Sequence, residues 1–177
     1  MKNIFSFDCE TNGLYGECFA VGVVVLSPLN GLIIDSFSGI SQIEDVDNLW
    51  VKENVLPALD RLKKYPTLKQ MRNAFWDFWI KHRGTGEKSL CIAIADFGSP
   101  VESGFFRQCV MDDLESRQWN APYPLHEVET LLIAKGVEPD TDRIKYSEIK
   151  PDAVKKHNPV DDAYVSGLCW IKAMEVK

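Results

Sequence analysis

The run Ile4-Phe5-Ser6-Phe7-Asp8-Cys9-Glu10-Thr11-Asn12-Gly13-Leu14 decides the fold. Its opening part carries β-branched and aromatic side chains and runs into the turn pair Asn12-Gly13, the pattern of a strand entering a loop. Side chains of an extended strand alternate faces, so Asp8 and Glu10 share one side while Cys9 turns to the other and is read as a packing residue. Two carboxylates on one strand face repel each other unless hydrogen bonds or cations offset them. Hard divalent ions such as Mg²⁺ and Mn²⁺, which favour oxygen ligands, do this naturally. Taken alone, the pair is equally a strand end with two solvated acids.

Working outward, residues 20–26 and 32–40 repeat the strand pattern, with Ser27-Pro28-Leu29-Asn30-Gly31 as the turn between them, so the chain opens as a three-stranded meander. From Asp47 the period lengthens. Val55, Leu59 and Leu62 predict one helix, and Leu68, Met71, Phe75, Phe78 and Trp79 predict a second, started by a Thr67/Gln70 capping box. Trp76 and Trp79, one helical turn apart, are expected to pack that helix onto the sheet. Residues 90–95 form a short apolar strand, and Ser99-Pro100 opens a helix reaching about Met111. Residues 128–134 form a shorter helix stopped near Gly136. The stretch 139–156 reads as polar and irregular, and 160–174 as the last helix. Strands followed by helices, with one later strand, give an α/β fold with a mixed sheet.

With 177 residues, 45% of them hydrophobic and evenly spread, the chain suits one domain over 1–177. Its 20 Lys plus Arg against 26 Asp plus Glu leave a net charge of -6, which excludes a broad electropositive surface for gripping a long duplex. Short or single-stranded partners are favoured instead. Apolar stretches fall well short of the roughly 20 residues of a membrane span, and no signal peptide is visible, so no membrane partner is expected. Cys9, Cys18, Cys91, Cys109 and Cys169 lack paired spacing and are read as reduced core residues of a cytoplasmic protein.

Near the other end, Asn158-Pro159-Val160-Asp161 is a helix start: Asn158 at the N-cap, Pro159 in the first position and Asp161 in the third, closing a capping box. That leaves Asp162 in the first turn with no capping duty, and His157 just outside the helix, where a side chain can hang over a pocket. Trp119, in the polar stretch around Arg117-Gln118-Trp119-Asn120, is expected to be exposed.

Asp8-Cys9-Glu10-Thr11-Asn12-Gly13-Leu14 resembles the first motif of the DnaQ-like, RNase T-like 3'-5' exonucleases, and His157 followed by Asp162-Ala163 resembles the last motif of their DEDDh branch. The resemblance implies a ribonuclease H-like fold, a mixed central β-sheet with helices on both sides. It implies two Mg²⁺ or Mn²⁺ ions held by Asp8, Glu10, Asp162 and a middle acid, with His157 as the general base. The family's middle aspartate has no direct counterpart; in Gly98-Ser99-Pro100-Val101-Glu102-Ser103-Gly104-Phe105-Phe106, Glu102 takes its place, a DEEDh-like variant, with Asp96 the rival. Glu102 also has capping-box spacing from Ser99.

By the same resemblance Thr11, Asn12, Gly13 and Leu14 border the terminal nucleotide, Leu14 as a wedge against the last base, and Phe105 or Phe106 stacks on a base, with at least one of the two in the core. Lys155 and Lys156 are candidates for backbone phosphates. The expected activity is hydrolysis of phosphodiester bonds from the 3' end of single-stranded RNA or DNA, RNA ahead of DNA, releasing nucleoside 5'-monophosphates. The resemblance also allows a homodimer. Two other readings stand beside it: a non-catalytic nucleic-acid or protein-binding module on the same fold, and a phosphatase with an aspartyl nucleophile, which leaves His157 and Asp162 without a role.

Overall fold

The alternation of Phe5, Phe7 and Cys9 with Ile4, Ser6 and Asp8 gives β1 (Asn3–Thr11) two different faces. In the computed structural model, which describes residues 1–42 and 46–175, each face meets its own layer of helices. β1, β2 (Cys18–Leu26) and β3 (Ile33–Ser41) form an antiparallel meander. β2 is buried along its whole length, which matches its near-continuous apolar run and its place inside the sheet. Three shorter strands, β4 (Lys64–Tyr65), β5 (Cys91–Ala95) and β6 (Leu125–Glu127), join in parallel pairings, giving a six-stranded mixed sheet of order β4-β3-β2-β1-β5-β6.

The helices are α1 (Leu68–Arg83), α2 (Ser103–Met111), the short α3 (Leu114–Arg117), α4 (Val128–Ala134), α5 (Arg143–Ser147) and α6 (Pro159–Glu175). On one face Phe5 and Phe7 meet α1 and α2 through edge-on aromatic contacts, Phe5 to Trp79 at 5.0 Å and Phe7 to Phe106 at 5.1 Å between ring centres. On the other, Ile4, Val24, Leu26 and Ile94 pack against Ala163, Val165 and Cys169 of α6 and against Val128 and Leu132 of α4. All five cysteines are buried and unpaired. Among the described residues no helix is long and apolar enough to cross a membrane.

Two glycines let α6 lie unusually close to the sheet. A methyl group on Gly22 would stand 2.2 Å from the carbonyl carbon of Pro159 and the nitrogen of Val160, and one on Gly167 would stand 2.3 Å from a Leu26 methyl. Gly22 is the register partner of Asp8. The first turn of α6 therefore presses on the sheet directly beside the acidic end of β1.

Elsewhere the chain departs from the pattern in its sequence. The helix expected through Val55, Leu59 and Leu62 is instead a widened turn at Val51–Val55 followed by a tight turn at Leu56–Ala58, because Pro57 offers no N–H to continue a regular ladder. Those apolar residues still close a small core with Phe19 and Ala20. β4 and β6 were not expected, and the stretch taken as irregular contains α5, whose start is capped by the Asp142 side chain accepting from the Lys145 N–H. The Ser99 capping box does not form: Ser99 is extended, the turn's first N–H, that of Gly98, is accepted by the Glu127 carboxylate at 2.8 Å, and α2 begins only at Ser103.

The close approach at Gly22 predicts that Gly22→Ala lowers unfolding stability by about 3 kcal/mol, because backbone and not a flexible side chain must give way. Gly104→Ala, in α2 where an added methyl meets nothing within 4 Å, should raise stability by about 0.5–1 kcal/mol. Urea unfolding of the two variants checks both signs.

Candidate active site

Asp8 and Glu10 leave β1 on the α6 side of the sheet, and the chain's later acids are brought to them by the way α6 begins. Asn158 anchors that start: its side-chain oxygen accepts the Val160 N–H at 3.1 Å and its amide nitrogen donates to the Ala58 carbonyl at 3.0 Å. Asp161 does not close the expected box onto Asn158; its carboxylate reaches further back and accepts the Lys155 N–H at 2.9 Å. Between these two caps His157 has φ 62°, a left-handed conformation that histidine tolerates better than most residues, and this turns its ring out of the helix. The ring lies edge-on to Trp50, 5.1 Å between centres. The Asp162 carboxylate accepts the His157 backbone N–H, so the two residues are tied through the main chain. Donor atoms of Glu10, His157 and Asp162 all lie within 4.8 Å of one another.

Glu102 reaches the same place from the turn that precedes α2. Its carboxylate accepts the N–H of Cys9 and its own N–H, so the residue between Asp8 and Glu10 serves the site through its backbone while its thiol stays in the core. Asp8, Glu102, His157 and Asp162 line a cavity of about 640 Å³ that continues past Asp96 to Phe97 and Arg143.

The electrostatics of this corner are severe. Burial, then the fields of Asp162, Glu10 and Glu102, hold the Asp8 carboxyl well above the usual carboxylate range. Burial, with Asp162 and Glu102, pushes Glu10 up to about 8. Burial is the main cause at Glu102 and Asp162 as well, each raised to about 7. His157 moves the other way: burial and then the neighbouring Lys156 lower its pKa, which keeps the ring neutral and able to accept a proton at pH 7. Four carboxyls that cannot ionise together without help, with a neutral imidazole beside them, offer hard oxygen donors of the kind that divalent cations take.

Asp96, the rival for the middle acid, is engaged elsewhere. Its carboxylate accepts from Arg143 Nε at 2.9 and 3.2 Å, and the same guanidinium donates to the carbonyls of Pro139 and Thr141 at 2.8 Å each. Thr11 ends β1, Gly13 turns the following loop with φ 81°, and Asn12 accepts the Asn48 N–H at 3.4 Å. Leu14 is 61% exposed and lines the cavity.

Phe105 and Phe106 are a correction. Both are buried, with Phe105 4.9 Å and Phe106 5.1 Å from the Phe75 ring, because α2 is packed between the turn at 98–102 and α1. They support the site from beneath and offer no face to a base. Lys155 is also withdrawn from phosphate duty, since its Nζ donates to the Pro57 carbonyl at 2.7 Å; Lys156 lines the cavity. Trp119 is exposed as expected, but it borders a different cavity from the acids. Trp50, Phe97 and Arg143 belong to the site and carried no local signal beyond their residue type.

No protein-family model matches the chain, and no match to it was found among curated proteins.

Because the folded-state pKa values of these acids are raised, their contribution to stability is present below the ordinary carboxylate range, near pH 4, and is lost as pH rises through about 7 for Glu102 and Asp162 and about 8 for Glu10. Thermal melting in chelator should therefore fall steadily from pH 5 to pH 8.5. Millimolar Mg²⁺ or Mn²⁺ should raise the melting temperature at pH 8 and leave it nearly unchanged at pH 5, where protons already occupy the acids.

Proposed function

We propose that this chain is a 3'-5' exonuclease of the DnaQ-like type, with a DEDDh arrangement in which Glu102 takes the middle place, built on a ribonuclease H-like fold. It acts on the 3' end of single-stranded nucleic acid, RNA ahead of DNA, and releases nucleoside 5'-monophosphates. The observation that carries this reading is the meeting of Asp8 and Glu10 with Glu102, His157 and Asp162 in one half-buried cluster. An antiparallel meander followed by parallel strands on the β1 side supports the fold assignment.

Two Mg²⁺ or Mn²⁺ ions, when bound, supply neutralisation of the phosphodiester charge and a more acidic attacking water. Asp8, Glu10 and Asp162 would hold them, with Glu102 supporting the site. His157 accepts the proton of the attacking water on a ring nitrogen, a task for which a neutral imidazole at pH 7 is suited. The left-handed backbone at His157 and the edge of Trp50 fix where that nitrogen stands. The loop at Thr11, Asn12, Gly13 and Leu14 borders the terminal nucleotide, with Leu14 free to meet its base. Phosphodiester hydrolysis also needs charge stabilised on the departing oxygen, and no serine or cysteine nucleophile is required for that. The acidic chain suits a substrate that enters by one end.

The test uses 3'-labelled and 5'-labelled single-stranded RNA and DNA. Stepwise loss from the 3' end with Mg²⁺ or Mn²⁺ is expected, with no activity in chelator. Asp8→Asn should abolish it, and His157→Ala should lower kcat by about 10²–10⁴-fold with little change in KM. Glu102→Gln should be severely impaired, whereas Asp96→Asn should lose stability through its Arg143 pairing and keep the chemistry. Internal cleavage, or activity that survives chelation, would sink the reading.

A further inference from the structure

A second cavity, of about 230 Å³, opens at the far end of the sheet from the acids. β1 and β5 run in parallel, and Asp8 and Asp96 mark their late ends, whereas this cavity is lined from Lys2, Cys91 and Ile92 at their starts. Between Asn3 and Asp8 lie about 17 Å of extended strand. Trp119 and Tyr123 border the opening and are 85% and 99% exposed. The loop that carries them is held from beneath. Buried Trp79 donates Nε1 to the Asn120 carbonyl at 2.7 Å, and buried Arg117 lies on the Trp76 ring and donates to the Cys109 carbonyl at 2.7 Å. Two large rings are thus fixed in water instead of being folded under the loop.

Charge at this end runs against the rest of the chain, whose net charge is -6. Neither Lys2 nor Arg83 belongs to an ion pair among the described residues, and Glu87 is the only acid lining the cavity. Arg83 is steered by neutral acceptors, the carbonyls of Gly84 and Gly86 at 2.8 and 3.0 Å, which leave its charge uncompensated. Burial raises the pKa of the Cys91 thiol at the start of β5, while the Ser89 hydroxyl and the fields of both cations oppose that rise, so the two charges converge on one spot. Cations that meet a phosphate backbone, beside aromatic faces on which bases stack, are the means by which unpaired nucleic acid is held without sequence preference. We infer that Trp119 and Tyr123, with Lys2 and Arg83, form a second site for single-stranded nucleic acid, engaging the 5' part of a strand whose 3' end lies among the acids. Only the direction of the strand rests on the exonuclease reading. A base paired in a duplex offers no face to either ring, so the site favours unpaired strands.

The probes are a labelled twelve-nucleotide RNA, about 40 Å long when stacked at about 3.4 Å per residue, and a dinucleotide, which cannot bridge the two ends. Trp119 and Lys2 are exposed, so Trp119→Ala and Lys2→Gln should keep the fold. In chelator, binding of the long strand, followed by fluorescence anisotropy, should weaken about tenfold in Trp119→Ala, and Lys2→Gln should flatten the slope of log affinity against log salt by about 0.7. In Mg²⁺, Trp119→Ala should raise KM for the first cleavage of the long strand about tenfold with kcat unchanged, and the dinucleotide should show none of this loss. Equal affinity of wild type and Trp119→Ala, or a loss shared by the dinucleotide, would overturn the site. So would a Trp119→Ala chain that keeps its RNA affinity but changes its oligomeric state in size-exclusion chromatography, which would assign the rings to a protein contact. The expected binding loss in a protein that cleaves neither strand would overturn the exonuclease reading and leave the site standing, whereas normal cleavage with unchanged binding would do the reverse.

Discussion

The candidate site depends on how closely the first turn of α6 can press on β2. At Gly22 the helix backbone comes within the space that any side chain would fill, and Gly22 is the register partner of Asp8. Moving α6 outward by the width of a methyl group would carry Asp162 and His157 away from Glu10. Gly167 repeats the device further along the helix, so α6 is seated at two points and its tilt over the sheet is fixed. The helix start is then locked by its own caps, with Asn158 reaching to Ala58 and Asp161 reaching to Lys155.

Seating four carboxyls in a largely buried corner works against the stability of the chain. A well-packed apolar core could accommodate the same volume without repulsion, so the cluster is a place where the fold departs from what packing alone would select. The surrounding structure compensates with main-chain donors: Cys9 gives its N–H to Glu102, and His157 gives its own to Asp162. Beneath, the aromatic layer of Phe5, Phe7, Phe75 and Trp79 makes the opposite face of β1 rigid, so the strand that carries two of the acids has little freedom to relieve the strain by moving.

Much of this arrangement was legible in the residues, where local rules apply. The period-two pattern put Asp8 and Glu10 on one face, and Asn158-Pro159 marked where α6 begins. The meander followed from three runs of strand formers separated by turn residues. Legibility failed where the cause was a distant partner. Arg143 and Asp96 are 47 positions apart, and nothing near either one announces the pair. Trp50 carries no sign that it meets His157. β4 and β6, of two and three residues, are too short for periodicity to register. Phe105 and Phe106 looked like alternatives for a base platform because helical spacing alone cannot say that α2 is covered on both sides.

Asp8 and Asp162 come from opposite ends of the described chain, with the whole sheet laid down between them. While the polypeptide is being synthesised, β1 to β3 can pair early, because their contacts are local. The acids at the tip of β1 then wait without their counterparts until α6 has left the ribosome and docked. A chain in which α6 has not yet docked consequently holds Asp8, Glu10 and Glu102 without Asp162 or the imidazole, so the corner closes only with the last helix.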